Sequence, residues 1–210
     1  MLTIHIDDSH DLSGRWNLEL IQETRSRVAS ALTKTAAKAV EEIKDDLPQK
    51  FTLRRNWVQK GIRGDRANQS TLETRVYSVD GYMFKQEEGE TYRPDGHVAI
   101  PSAARPTAKA LIPRHLLPNS LRGRPNIFKF DFSRNPAYKP FPLVGIFQRV
   151  MRGKQFRVMY LLKDEKNTKP LWKFTPQVER VIDRYFDQYF DDPDRYSPEE
   201  VIGSYGRRGG

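Results

Sequence analysis

Cysteine is absent from the 210 residues. Its absence removes disulfides, thiolate nucleophiles and cysteine metal sites, and leaves the chain with no need of an oxidising compartment. Histidine is scarce: His5, His10, His97 and His115 show no metal-ligand spacing, and His5 and His10 beside Asp7 and Asp8 are too weak a pattern to assign a metal. No apolar run approaches the roughly 18 residues needed to cross a bilayer. The opening MLTIHIDDSHDL lacks the basic and apolar regions of a signal peptide. No glycine-rich phosphate cradle and no Ser/His/Asp set stands out. These absences predict a soluble protein made inside the cell, independent of membranes and without a cofactor.

Apolar residues are also below the usual globular share, at 37%, and the mean hydropathy is −0.74. The length suits one core of ordinary size with excursions. We expect a single α+β domain over residues 1–192, with an N-terminal arm at 1–14, a proline-rich arm at 94–142 and a C-terminal tail at 193–210.

What the chain does have is positive charge, unevenly placed. The formal net charge is +9. Residues 105–160 hold twelve Lys/Arg against the single acid Asp131, whereas residues 176–200 hold eight acids against three arginines. A basic segment of this kind neutralises phosphates or meets the acidic segment of a neighbouring copy.

Hydrophobic periodicity orders the elements. Leu2, Ile4 and Ile6 alternate as in a short strand. Val28, Leu32, Ala36, Ala39, Ile43 and Leu47 mark a long helix from about Leu18 to Leu47, ended by Pro48. A basic segment follows, anchored by Trp57, Val58 and Ile62. Leu72, Thr74 and Val76 form a strand, and Asp80-Gly81 with Tyr82 to Gln86 predicts a hairpin and return strand. GIFQRVM and QFRVMYLL around Arg152-Gly153-Lys154 predict a second hairpin. The expected architecture is therefore a mixed or antiparallel sheet of about four strands, packed by the long first helix and a C-terminal helix.

Nine of the fourteen prolines lie between Pro94 and Pro142, recurring at steps of seven and five as far as Pro125. Proline donates no backbone hydrogen bond and pushes its predecessor towards extended geometry. We expect an arm here that orders on neighbouring molecules, interrupted by one short strand at Phe128, Phe130 and Phe132.

The last helix opens at Thr175-Pro176 and closes before Pro193; SPEE at Ser197 to Glu200 signals a further turn. Val178, Val181, Ile182, Tyr185, Phe186, Tyr189 and Phe190 cover about half of its circumference. Asp183, Asp187 and Asp191 line the opposite side, where they either meet water or meet positive charge from another chain. Arg105 and Arg114 are the candidate partners. Arg122, Arg124, Arg152 and Lys154 are candidates for facing DNA, as they would in a basic non-enzymatic nucleic-acid-binding protein, the second reading.

One set of residues has a catalytic counterpart. Asp95 with Asp164-Glu165-Lys166 has the residue types of a metal-dependent nuclease, but the wide separation and loop-like KDEKNTK favour a solvated turn. We assign no catalytic residues.

The stretch GIFQRVMRGKQFRVMYLLKDEKNTKPLWKFTPQVERVIDRYFDQYF resembles the C-terminal half of the phage minor tail protein Z, or tail completion, family. HVAIP resembles that family's short strand ending in Ile-Pro, and the order of parts agrees over roughly residues 20–192. The proline-rich insertion is longer than the family's pattern. The resemblance implies a non-catalytic virion protein at the head-proximal end of a tail or in the neck, forming an oligomeric ring, commonly hexameric, around the DNA path. It further implies contacts with other phage tail and neck proteins, non-specific contact with packaged DNA, and assembly in the host cytoplasm.

Overall fold

The structure, a computed structural model, describes residues 2–5, 18–132, 144–153 and 155–192. In chain order the elements are β1 (Leu2–His5), α1 (Leu18–Lys50), α2 (Trp57–Gly61), β2 (Ile62–Gly64), β3 (Glu73–Ser78), α3 (Phe84–Glu88), β4 (Glu90–Tyr92) and β5 (Val98–Pro101). They continue with α4 (Pro118–Leu121), β6 (Ile127–Asp131), β7 (Val144–Val150), β8 (Gln155–Lys163), β9 (Lys166–Thr168) and α5 (Phe174–Asp191). The α+β class, the long first helix, the C-terminal helix and a four-stranded antiparallel sheet are as expected. The chain divides into two compact units, Met1–Glu87 with Leu171–Gly210, and Glu88–Pro170 between them. The expectation of one domain drew no such division.

In the first unit an antiparallel sheet of order β1-β3-β2 packs with α1, which also packs along α5. The small residues of the α1 stripe permit close approach: Ala36, Ala39, Val40, Ile43 and Leu47 share a core with Ile62, Val76, Trp172, Val178 and Val181. Gly64 lies so near that an added Cβ would stand 3.2 Å from the Val40 side chain. Three local expectations change here. The α1 helix runs one residue-triplet past Leu47, with Pro48 inside its last turn. Residues beyond Asp80-Gly81 do not return as a strand: Gly81–Met83 is a 3-10 turn leading into α3, and β3 pairs instead with β1 and β2. The N-terminal strand lies on the chain's own sheet, and residues 6–14 of the expected arm are outside the described residues.

The second unit holds the sheet β5-β8-β7-β6, all antiparallel, and a small ribbon of β4 and β9 that sequence periodicity did not reveal. The β7–β8 hairpin is as expected. A register shift between Ile146 and Phe147 leaves Met159 without a partner in the ladder. Its carbonyl instead accepts from the backbone N–H of Ser102, at 2.9 Å.

From that bond onward the chain stays on the sheet. Over its described residues the proline-rich segment is not an extended arm but a cover for one face of this sheet. Ala104, Leu121, Ile112 and Leu116 pack on Met159, Tyr160, Ile127 and Ile146. The Tyr160 hydroxyl donates to the Leu116 carbonyl at 2.8 Å. The prolines act as punctuation: Pro101 ends β5, Pro113 precedes the 3-10 turn Arg114–Leu116, and Pro118 begins α4. Residues 133–142 of the predicted arm, Pro193, the SPEE signal and the rest of the tail 193–210 are outside the described residues.

Candidate functional site

The apolar half of α5 is used inside the first unit. Val178, Val181 and Tyr189 are buried, Ile182 and Tyr185 pack on the main core, and Phe186 joins the smaller cluster of Ala29, Leu32 and Leu72. At about 1.5–3 kcal/mol per large side chain such burial dominates the helix's stability. The N-terminal cap is not the local Thr175 hydroxyl. The Glu87 carboxylate of α3 accepts from the Thr175 backbone N–H at 2.8 Å, a negative group at the positive end of the helix. At the other end Arg27 of α1 donates to the Phe190 carbonyl at 3.3 Å and lies over the Phe190 ring at 5.5 Å. This cation partly offsets the acids of the last turns.

Asp183, Asp187 and Asp191 stand exposed on the remaining face, and no ion pair joins them to another described residue. Four residues advance a helix by about 6 Å and turn it only about 40° past a full circle. The three carboxylates therefore form a nearly straight acidic row about 12 Å long.

The positive excess lies in the other unit. Residues 88–170 contain sixteen Lys/Arg and six Asp/Glu, while the remainder of the chain contains twenty and twenty-one. Arg114, Arg122 and Arg124 are exposed on the segment that covers the sheet, where Arg124 donates to the Ser120 carbonyl at 3.0 Å. Arg105, paired with Arg114 as an interface candidate, is half-buried, and its charge acts on the Tyr160 phenol. Burial nevertheless raises that phenol above its ordinary value of 10.0, with Arg105 opposing. Arg152 is exposed at the β7–β8 turn; Lys154 is outside the described residues.

The other face of the four-stranded sheet carries a feature that sequence reading took only as strand alternation. Phe128 pairs with Phe147 across β6 and β7, Phe130 with Gly145, and Arg149 with Phe156 across β7 and β8. Phe128 lies 5.7 Å from Phe147 and 5.4 Å from Phe156; Phe132 lies 4.6 Å from Phe130 and 5.1 Å from Phe147. Arg149 sits over Phe128 at 5.1 Å. Gly145 makes room: a Cβ there would be 3.0 Å from the Phe147 ring and 2.7 Å from the Tyr160 carbonyl. Phe147 is buried in this cluster, yet Phe130 remains 40% exposed, Phe156 56% and the neighbouring Met151 67%. The signal was present as Phe-x-Phe-x-Phe opposite Gly-x-Phe-x-Arg, but only the pairing register places these side chains together.

Two acids of the nuclease arrangement have side-chain partners among the described residues. Asp164 meets His97 at 2.8 Å and Glu165 meets Arg93 at 2.9 Å, while Asp95, exposed, lines a groove of about 580 Å³ with His97, Arg122 and Lys129. Among the described residues no group of three or more His, Cys, Asp or Glu side chains is placed to hold a metal, and no helix is long and apolar enough to cross a membrane. Of the N-terminal set, Asp7, Asp8 and His10 are outside the described residues. Comparison with protein-family models, with curated proteins and with solved structures finds no match to this chain.

Proposed function

We propose that this chain is a non-enzymatic structural component of a phage virion, acting in tail completion or head–tail joining as one subunit of an oligomeric ring around the DNA path. It assembles in the host cytoplasm and in the neck contacts other tail proteins. The observation that carries this reading is the exposed Asp183/Asp187/Asp191 row on a helix whose apolar half is already spent, in a chain whose excess positive charge belongs wholly to its other unit. Like charges at this spacing weaken the isolated helix. A neighbouring copy that presents arginines removes that penalty and fixes orientation at once. The sequence resemblance supplies the setting. Arg122, Arg124 and Arg152 are exposed cations of the basic unit, and in a ring they are available to phosphate as well as to protein.

The test is the triple variant D183K/D187K/D191K. It should fold, with an unchanged circular dichroism spectrum, and fail to form rings or to complete virions. Assembly at the wild-type level would remove the interface role.

A further inference from the structure

A head-to-tail ring needs two unlike surfaces on each subunit, and the α5 acidic row is only one. We propose that the second is the phenylalanine face of the four-stranded sheet, with Phe130, Phe156, Met151, Arg149 and Arg152 receiving the Asp183/Asp187/Asp191 row of another copy of this chain. The inference rests on the ring reading and replaces Arg105 and Arg114 as the acceptor.

Several observations converge on this face. The opposite side of the sheet is already covered by Ala104, Ile112, Leu116 and Leu121. The side in question keeps Phe130 and Phe156 about half in water. Its composition is that of an interface centre, where aromatic residues, methionine and arginine are enriched and lysine is depleted. Arg149 is pre-positioned by Phe128 beneath it, so its planar guanidinium can engage a carboxylate through two hydrogen bonds with little further loss of freedom. Met151 and Arg152 have φ of 50° and 55°, a left-handed conformation that costs side-chain-bearing residues about 1 kcal/mol or more and recurs at functional positions.

Charge decides the occupant. The patch is flanked by arginines, and the acidic row is an exposed carboxylate array of opposite sign that the chain itself supplies. A polynucleotide fits less well. By register the same face continues through Val158, Leu161 and Ile100, which is apolar surface rather than the track of cations a phosphate backbone follows.

The experiment uses the full chain in native mass spectrometry and sedimentation velocity, with thermal melts as the folding control. R149E/R152E, and separately Phe156→Ser, should weaken assembly at least about tenfold without lowering the melting temperature. Combining R149E/R152E with D183R/D187R/D191R in one chain should restore assembly, because every contact then carries the reversed pair. Two outcomes overturn the inference while leaving the ring reading intact. In one, assembly is unaffected by R149E/R152E and Phe156→Ser yet abolished by the aspartate reversals. In the other, Phe156→Ser removes binding of a labelled single-stranded oligothymidine while rings persist. A wild-type chain that stays monomeric at every concentration and salt tested overturns both.

Discussion

Tyr160 shows how much one side chain decides in this protein. Its ring is buried in the second unit's core and its hydroxyl ties the covering segment to the sheet through the Leu116 carbonyl. Tyr160→Phe should cost about 1 kcal/mol, because a partly buried acceptor loses its donor. The same group sets an alkaline limit. Burial raises its folded-state pKa above the ordinary 10.0, so its contribution is fully present below pH 10.0 and is lost as pH rises through the folded-state value. A pH series of thermal melts should show a smaller loss in Tyr160→Phe than in the wild type, the remainder including Tyr82, whose phenol burial also raises. Glu87 acts at comparable scale. Glu87→Ala should lower the stability of the first unit by about 1–2 kcal/mol through loss of the α5 cap, with Glu87→Gln losing less, as urea titrations would measure. Arg152→Gly relieves a left-handed backbone and should gain about 0.5–1 kcal/mol. If the hairpin tip serves assembly, that more stable variant will assemble less well, a separation readable from paired melts and sedimentation.

At the scale of elements, sequence patterns were read well where one face alone is buried and poorly where neighbours decide. The stripes of α1 and α5 repeat for two turns or more, the alternation of β7 and β8 runs through strands of seven and nine residues, and all four elements form where expected. Tyr82 to Gln86 carry no such repeat. Met83 is buried in the first unit's core, and the segment turns as a helix that brings Glu87 to α5. The proline-rich segment misled for a different reason. Its prolines forbid long regular elements, but a sheet face can equally be covered by short turns anchored by Ala104, Ile112, Leu116 and Leu121. Composition does not separate that arrangement from an extended arm, because both require irregular backbone. The acidic row was legible from four-residue spacing; the phenylalanine face required strand register.

For the whole molecule, the two units divide the labour of charge. The unit holding α1 and α5 is close to neutral, with an acidic row displayed on one helix, and the unit holding the four-stranded sheet carries a net charge of +10. The proline-rich segment packs on its own sheet, so in the ring proposed above charged and aromatic surfaces of folded units, rather than extended arms over residues 94–132, would join subunits. Contacts of this kind weaken with ionic strength, because the charges involved are exposed before association. The most direct measurement of the central claim is native mass spectrometry of the wild-type chain over graded salt. The account predicts a single closed stoichiometry at low salt, released to monomer as salt rises; a monomer under every condition, or an open series of sizes without closure, would contradict it.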